Sequence, residues 1–282
     1  MDKLTFECET ITPMFLAGAD GKTPELRSPS IKGTMRFWWR AINAHLSLDD
    51  LRKKESEIFG GSGDNEGRSK VVIKIDKTLN YDGYKSKPVP HKTFSLSAFK
   101  EKEMFKLSMH LNKVDDFSIE KLKSLFILTS ILGGFGKRSR RGFGSIKIKK
   151  IDNQDFSFDY SLESILNQLN IIHPNNFKIG TNKIIRNKPA SLDAKYAYIK
   201  EIEIGKTNTN LLLKISEASH DNNSDYTGFA SGNSRLASPI YVSLFSNSNS
   251  QIQPIITTLN IDFGDSRSHG TDKSPDFKKG VL

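Results

Sequence analysis

Residues 133–145 read GGFGKRSRRGFGS: two Gly-Phe-Gly triplets, Gly134 to Gly136 and Gly142 to Gly144, bracket Lys137, Arg138, Ser139, Arg140 and Arg141. Glycine permits positive φ and close backbone approach, so such a loop can offer its amides and its four cations to phosphate groups. Phe135 and Phe143 have two readings, as platforms for stacked bases or as pins that hold the loop to the core. A glycine-rich connection between a helix and a strand can also be a plain turn whose charges are solvated. Four cations in five positions exceed what a turn requires, and nucleic-acid contact is the favoured reading.

A second cationic surface lies upstream. From Ile31 to about Leu46 the apolar residues Ile31, Met35, Trp38 and Ile42 recur at helical spacing. On the same helix Lys32, Arg36 and Arg40 fall within about 80° of one another, at about 100° per residue. A basic stripe thus runs beside a core stripe. Trp39 sits on the border between them, either as a stacking platform or as a core-edge residue; core-edge is the favoured reading, and Trp39 stays among the candidates. Ser30 has the chemistry of an N-cap for this helix. The convergence of the helix with the glycine loop is an assumption at this level.

Catalytic patterns mostly fail. Gly18 to Thr23, GADGKT, echoes the end of a phosphate-binding loop, but Leu16 stands where that motif needs glycine and Pro24 where its helix begins. Asp20 in the same loop is a candidate general base or 2′-hydroxyl contact, with a solvated loop acid the favoured reading. His45, near the end of the first helix, reads as a helix-terminal cation rather than an acid/base. The six histidines, His45, His91, His110, His173, His220 and His269, are scattered without an HExxH pair, and Cys8 is the only cysteine. No metal site or cofactor is expected, and a lone cysteine fits a reducing compartment.

Charge is unevenly distributed. The 282 residues carry 42 Lys and Arg against 32 Asp and Glu, a net +10, yet residues 1–150 hold 29 against 18 and the remainder is nearly neutral. Such asymmetry suits one half facing a polyanion, and equally a solubilising surface. The N-terminal MDKLTFECETITP lacks the apolar core of a secretory signal, and no stretch approaches eighteen apolar residues. The expectation is a soluble cytoplasmic protein without membrane contact.

The positioning elements follow from periodicity. Leu4 to Phe15, Val71 to Ile75, Phe105 to Leu111 and Gly144 to Ile151 alternate as strands, the middle pair joined by a Pro/His/Lys-containing connection through Pro88 and Pro90. Helices are expected from Ile31 to Leu46 and, amphipathic, from Ile119 to Leu132, the second ended by Gly133 and Gly134. The order β-α-β-β-α-β makes residues 1–152 a ferredoxin-like unit in an α+β fold. In residues 153–282 a helix is expected from Ser161 to Ile171 and another from Leu211 to Ala218. Strand-like runs lie at Tyr196 to Ile204, Ile240 to Phe245 and Ile255 to Phe263. Loops at His220 to Asp225 and Ser246 to Gln251 and a loosely held tail after Gly264 complete a second, divergent ferredoxin-like domain.

The opening segment ITPMFLAGADGKTPELRSPSIKGTMRFWWRAI, with ESEIFGG at Glu55 to Gly61, resembles that of the first subunits of the Cmr complex, the type III-B CRISPR RNA-guided effector. The loop at 133–145 is similar to the glycine-rich loop of the wider RAMP superfamily, and SGNSRLASPIYVSLF at 231–245 resembles a segment in the second half of those subunits. The resemblance implies tandem ferredoxin-like (RRM-like) domains and a non-catalytic RNA-binding role at the end of a Cmr assembly. There the 3′ part of the guide RNA and the target RNA would be held beside other Cmr subunits, in antiviral defence. In that family target cleavage belongs to another backbone subunit and the cyclase-like activity to the large one, so binding is carried over and catalysis is not. The matching residues are Arg27, Ser30, Lys32, Gly33, Arg36, Trp38, Trp39 and Arg40, with Gly134, Gly136, Gly142 and Gly144 in the loop. Two alternatives stay open: a metal-independent RAMP endoribonuclease acting on guide precursors through Asp20 or His45, and a protein-interaction subunit whose basic face meets an acidic neighbour.

Overall fold

Alternation of Leu4, Phe6 and Cys8 with partly exposed residues builds β1 (Asp2–Thr10), the central strand of the first sheet. The computed structural model describes residues 1–63, 66–231, 234–247, 251–263 and 270–282. After β1 come α1 (Ser28–Ile42), α2 (Leu48–Phe59), β2 (Val71–Lys77), the short pair β3 (Lys85–Ser86) and β4 (Leu96–Ser97), β5 (Met104–Leu111), α3 (Ile119–Leu132), β6 (Ile146–Ile151) and β7 (Gln154–Asp155). The sheet order is β2-β5-β1-β6-β7 with every neighbour antiparallel. Strands β5 and β6 thus flank β1, as the expected β-α-β-β-α-β order requires. Helix α2 and the β3–β4 pair are insertions into that order, and β7 extends the first sheet past residue 152.

The second half contains α4 (Leu162–Ile172), β8 (Phe177–Ile179), β9 (Lys183–Arg186), β10 (Ile199–Ile204), α5 (Leu211–Asp221), β11 (Phe229–Ser231), β12 (Ser234–Leu236), β13 (Ile240–Ser246), β14 (Ile252–Leu259) and α6 (Ser274–Val281). Its sheet runs β13-β14-β10-β9-β8. Here β10-α5-β13-β14-α6 repeats the β1-α-β2-β5-α3 pattern, with β14 between β13 and β10 as β5 lies between β2 and β1. The place that β6 takes beside β1 is filled by β9, a strand that precedes β10 in the chain and pairs with it antiparallel. The second half is a ferredoxin-like sheet in permuted order, which is the physical content of its divergence.

Several elements differ from the sequence expectation. Strand β1 stops at Thr10; Met14 and Phe15 form isolated bridges to Phe99 and Lys137 instead. Helix α1 begins at Ser28, with Pro29 in its first turn, where a missing N–H costs nothing, and Arg27 at the N-cap; Ser30 lies inside the helix. Helix α2 was not foreseen. Ser47 caps it through Asp50 N–H at 3.1 Å, and it buries Leu51, Glu55, Ile58 and Phe59. Helix α3 is not amphipathic: from Leu122 to Leu132 only Lys123 escapes burial, because the helix packs against α1, α4 and strands of both sheets. Part of the tail, with His269, lies outside the described residues, but residues 274–281 form α6, which seats Phe277 and Val281 against α5.

Cys8 is buried in β1, and burial pushes its thiol well above the ordinary range, so it packs as a small apolar residue. Among the described residues no group of three metal-ligating side chains assembles, and no helix is long and apolar enough to cross a membrane.

Candidate nucleic-acid interface

The glycine loop joins the two halves. Its two triplets lie back to back, Phe135 N–H donating to Gly144 O at 2.9 Å, and a Cβ on Gly144 would stand 2.0 Å from Phe135 O. Gly136, at φ +90, sits so close to the chain at Phe15 that a Cβ would fall 2.4 Å from its carbonyl oxygen. On one side Lys137 N–H bonds Phe15 O at 2.8 Å and the Thr12 hydroxyl bonds Gly142 O at 2.7 Å. On the other, Gly142 N–H bonds Val242 O at 2.7 Å and Arg141 bridges β13 in parallel. Glycine is needed here for close approach between backbones of the protein itself.

That construction corrects several expected roles. Phe135 and Phe143 are 1% and 2% exposed, so both rings are pins and offer no face to a base. Trp39, 4% exposed, packs edge-on against Phe59, which agrees with its favoured core-edge reading and removes it from the candidate stacking platforms. Arg141 turns inward: its guanidinium donates to Thr227 O at 2.8 Å and to Ser238 Oγ and Ile240 O at 3.0 Å, and lies 5.0 Å from the Phe277 ring centre. Burial, with Arg138 and Arg140 close by, lowers its pKa to about 10. Arg140 donates to Ser238 O and covers the Tyr241 ring at 4.8 Å. Lys137 and Arg138 are the exposed pair of the loop.

Along α1, Lys32, Arg36 and Arg40 are partly exposed, as the helical spacing requires. Two of these charges are shared with an acid: Arg36 Nε and Arg40 Nη1 reach Glu55 Oε1 of α2 at 2.8 and 2.5 Å. Glu55 is itself 7% exposed, a carboxylate kept in the helix-packing interface by two guanidinium donors. Gly33 leaves open space beside them, and the first turn of α1 contains no acid. The helix and the loop do converge. Phe37 of α1 stacks near Tyr241 at 5.4 Å, and Tyr241 carries Arg140, so rings and guanidinium groups connect the flank of α1 to the glycine loop.

The two acid/base candidates are otherwise engaged. Asp20 accepts from Lys22 N–H and Thr23 N–H, both at 2.9 Å, and from the Thr23 hydroxyl, and these bonds, the last foremost, hold its carboxyl below the usual range. His45 is not a helix-terminal cation. Asn176 Nδ2 lies 2.9 Å from its Nδ1, its ring lies 3.9 Å from that of His173, and burial together with neighbouring cations lowers its pKa to about 4. Sequence reasoning missed His91, Lys92 and His220, which stand around a cleft of about 590 Å³ beside Arg138. Their only sequence signal is the Pro/His/Lys content of the 88–94 connection, since His220 is more than a hundred residues away.

A ferredoxin-like sheet whose last helix leads through a glycine-rich loop into a final strand, repeated in permuted form, defines a class, and residues 7–147 match the RAMP superfamily. The chain belongs to that superfamily and, within it, to the Cmr1 family. It is 30% identical over 185 residues to the CRISPR system Cmr subunit Cmr1-2 of Pyrococcus furiosus, covering 54% of this chain and 97% of the relative. To Cmr1-1 of the same organism it is 33% identical over 168 residues, 53% of this chain and about half, 48%, of that relative. The crystal structure of apo Cmr1 from Pyrococcus furiosus superposes with a TM-score of 0.64 at 19% identity, covering 100% of this chain and 96% of that one. A chain of the cryo-EM structure of the Type III-B Cmr-beta bound to cognate target RNA gives 0.58 at 11% identity, covering 99% of each. At these identities the structural likeness concerns the fold.

Proposed function

We propose that the chain is a non-catalytic RNA-binding subunit of a cytoplasmic type III-B CRISPR (Cmr) effector, with the 3′ part of the guide RNA or the target RNA along its basic face. Other Cmr subunits are its protein partners at the end of that assembly. The observation that carries this reading is the packing of α1 against the glycine loop: α1 bears the partly exposed Lys32, Arg36 and Arg40, its Phe37 packs on the buried Tyr241, Tyr241 carries Arg140, and the loop bears the exposed Lys137 and Arg138. Arg27, partly exposed at the start of α1, extends the stripe. These contacts are cations rather than a base-reading array, so binding tolerates many sequences.

Titration of the 282-residue chain with a single-stranded RNA at several salt concentrations tests it. Affinity falls steeply, with a log–log slope of about 0.7 per phosphate contacted. Equal affinity at low and high salt overturns the reading.

A further inference from the structure

The 88–94 connection, helix α5 and the β11–β12 pair that soon follows it enclose the cleft of about 590 Å³, with the glycine loop as its fourth side. That volume is within the range of small-ligand sites, about 300–1,000 Å³. Its chemistry is divided. Phe94 and Leu236 line it while remaining 49% and 38% exposed, two large apolar side chains left in water at the same mouth. Lys92 and Arg138 also line it and are exposed, and among the described residues that line it none is an Asp or Glu. His91 is fixed: its Nδ1 lies 2.8 Å from Ser216 Oγ and its ring 5.0 Å from that of His220, so Nε2 is left for a ligand.

An apolar mouth with aromatic character beside cations and imidazoles matches a planar ring joined to an anion. We propose that the cleft takes one unstacked nucleotide of single-stranded RNA, its base against Phe94 and Leu236 and its phosphate between Lys92 and Arg138, with His91 donating a further hydrogen bond. This rests on the RNA-binding reading and adds to it a discrete subsite. Exposed stripes on α1 bind a backbone at any register, whereas this cleft admits one residue of the strand and rewards the presence of a base.

The test follows the imidazole NMR signals of His91 and His220 in the intact chain, with adenosine 5′-monophosphate, adenosine and a single-stranded RNA decamer as separate probes. The expected result is that the monophosphate and the decamer both shift the two signals, that adenosine does so far less, and that Phe94→Ala and Arg138→Ala each weaken the monophosphate about tenfold. Both residues are exposed, so an unchanged thermal melt verifies that each variant is folded. A decamer that binds while both signals stay fixed, or monophosphate affinity indifferent to Phe94→Ala, overturns the subsite and leaves the RNA-binding reading standing. Monophosphate shifts without any decamer binding overturn that reading, and with it the proposal, in favour of a site for free nucleotides.

Discussion

Lys137 and Arg138 stand out from the glycine loop, whereas Arg140 and Arg141, two residues further on, turn back into the protein. All four are cations in one short run, and composition gives them one role. The chain geometry separates them. Gly136 at φ +90 and Arg138 at φ +65 turn the backbone outward, and the parallel bridge of Arg141 to Val242 then draws it along β13, where carbonyls of the second half wait for donors. The inner pair seals a seam between two sheets, and the outer pair remains for a partner. A basic loop is therefore evidence of a polyanion only for the cations whose donors are not already taken by the protein.

The largest expected effect comes from the inner pair. Arg141→Ala removes the donors to Thr227 O, Ser238 Oγ and Ile240 O; Ser238 Oγ and Ile240 O keep the bonds of Ser238 with the Ile240 backbone, while Thr227 O, in a residue 1% exposed, loses its donor. A loss of about 2–4 kcal/mol in urea unfolding is expected, with looser docking of α6 through Phe277. If the chain unfolds at the same urea concentration as the parent, Arg141 is a surface cation like its neighbours and the division of the loop fails.

An intermediate effect tests a second contact between the two halves, where His45 meets Asn176 and His173. His45 is held near pKa 4 in the folded chain against about 6.5 unfolded, so the unfolded state takes up the proton first. Its contribution is fully present above about pH 6.5, is lost as pH falls towards 4, and levels off below that. The shift corresponds to about 3 kcal/mol at most, and to roughly half of that once solvent screening of a partly exposed ring is allowed for. Urea unfolding at pH 7 and pH 4.5 measures it, and His45→Phe should flatten the difference. An equal pH dependence in the variant would place the acid sensitivity elsewhere.

Much of the first sheet was legible because β1, β2, β5 and β6 alternate with period two and α1 carries its apolar residues on one face. Helix α2 was not, since Glu55 occupies a position in its buried stripe and the charges of LRKKESE conceal the period. Helix α3 has polar positions, yet Thr129 and Ser130 satisfy their hydroxyls on Leu125 O and Ile127 O at 2.7 Å, which allows burial on all sides. Helix α6 offers only Phe277 and Val281 as apolar contacts, too few to read as a period. At the site, residue types were readable and directions were not. Nothing local to GKRSRR says that Arg141 will meet the carbonyls of Thr227 and Ile240, and nothing local to Trp39 says that Phe59 will cover it.

The smallest effect on stability, and the sharpest on function, belongs to the outer pair. Lys137 is exposed and, among the described residues, its side chain reaches Gly21 O at 3.4 Å, while Arg138 is exposed with no acid beside it on the loop. The double variant Lys137→Ala, Arg138→Ala should therefore unfold within about 0.5 kcal/mol per residue of the parent. Its RNA affinity should fall, and the salt slope with it, by up to about 1.4 if each cation contacts one phosphate. The slope is the decisive quantity, because a loop that merely shifted would lose affinity without losing counterion release. Arg141→Ala should show the converse, lower stability at nearly unchanged slope. Were the outer double variant to keep both affinity and slope while Arg141→Ala lowered them, the inward guanidinium would have to leave its carbonyls to reach RNA, and the two pairs would exchange roles.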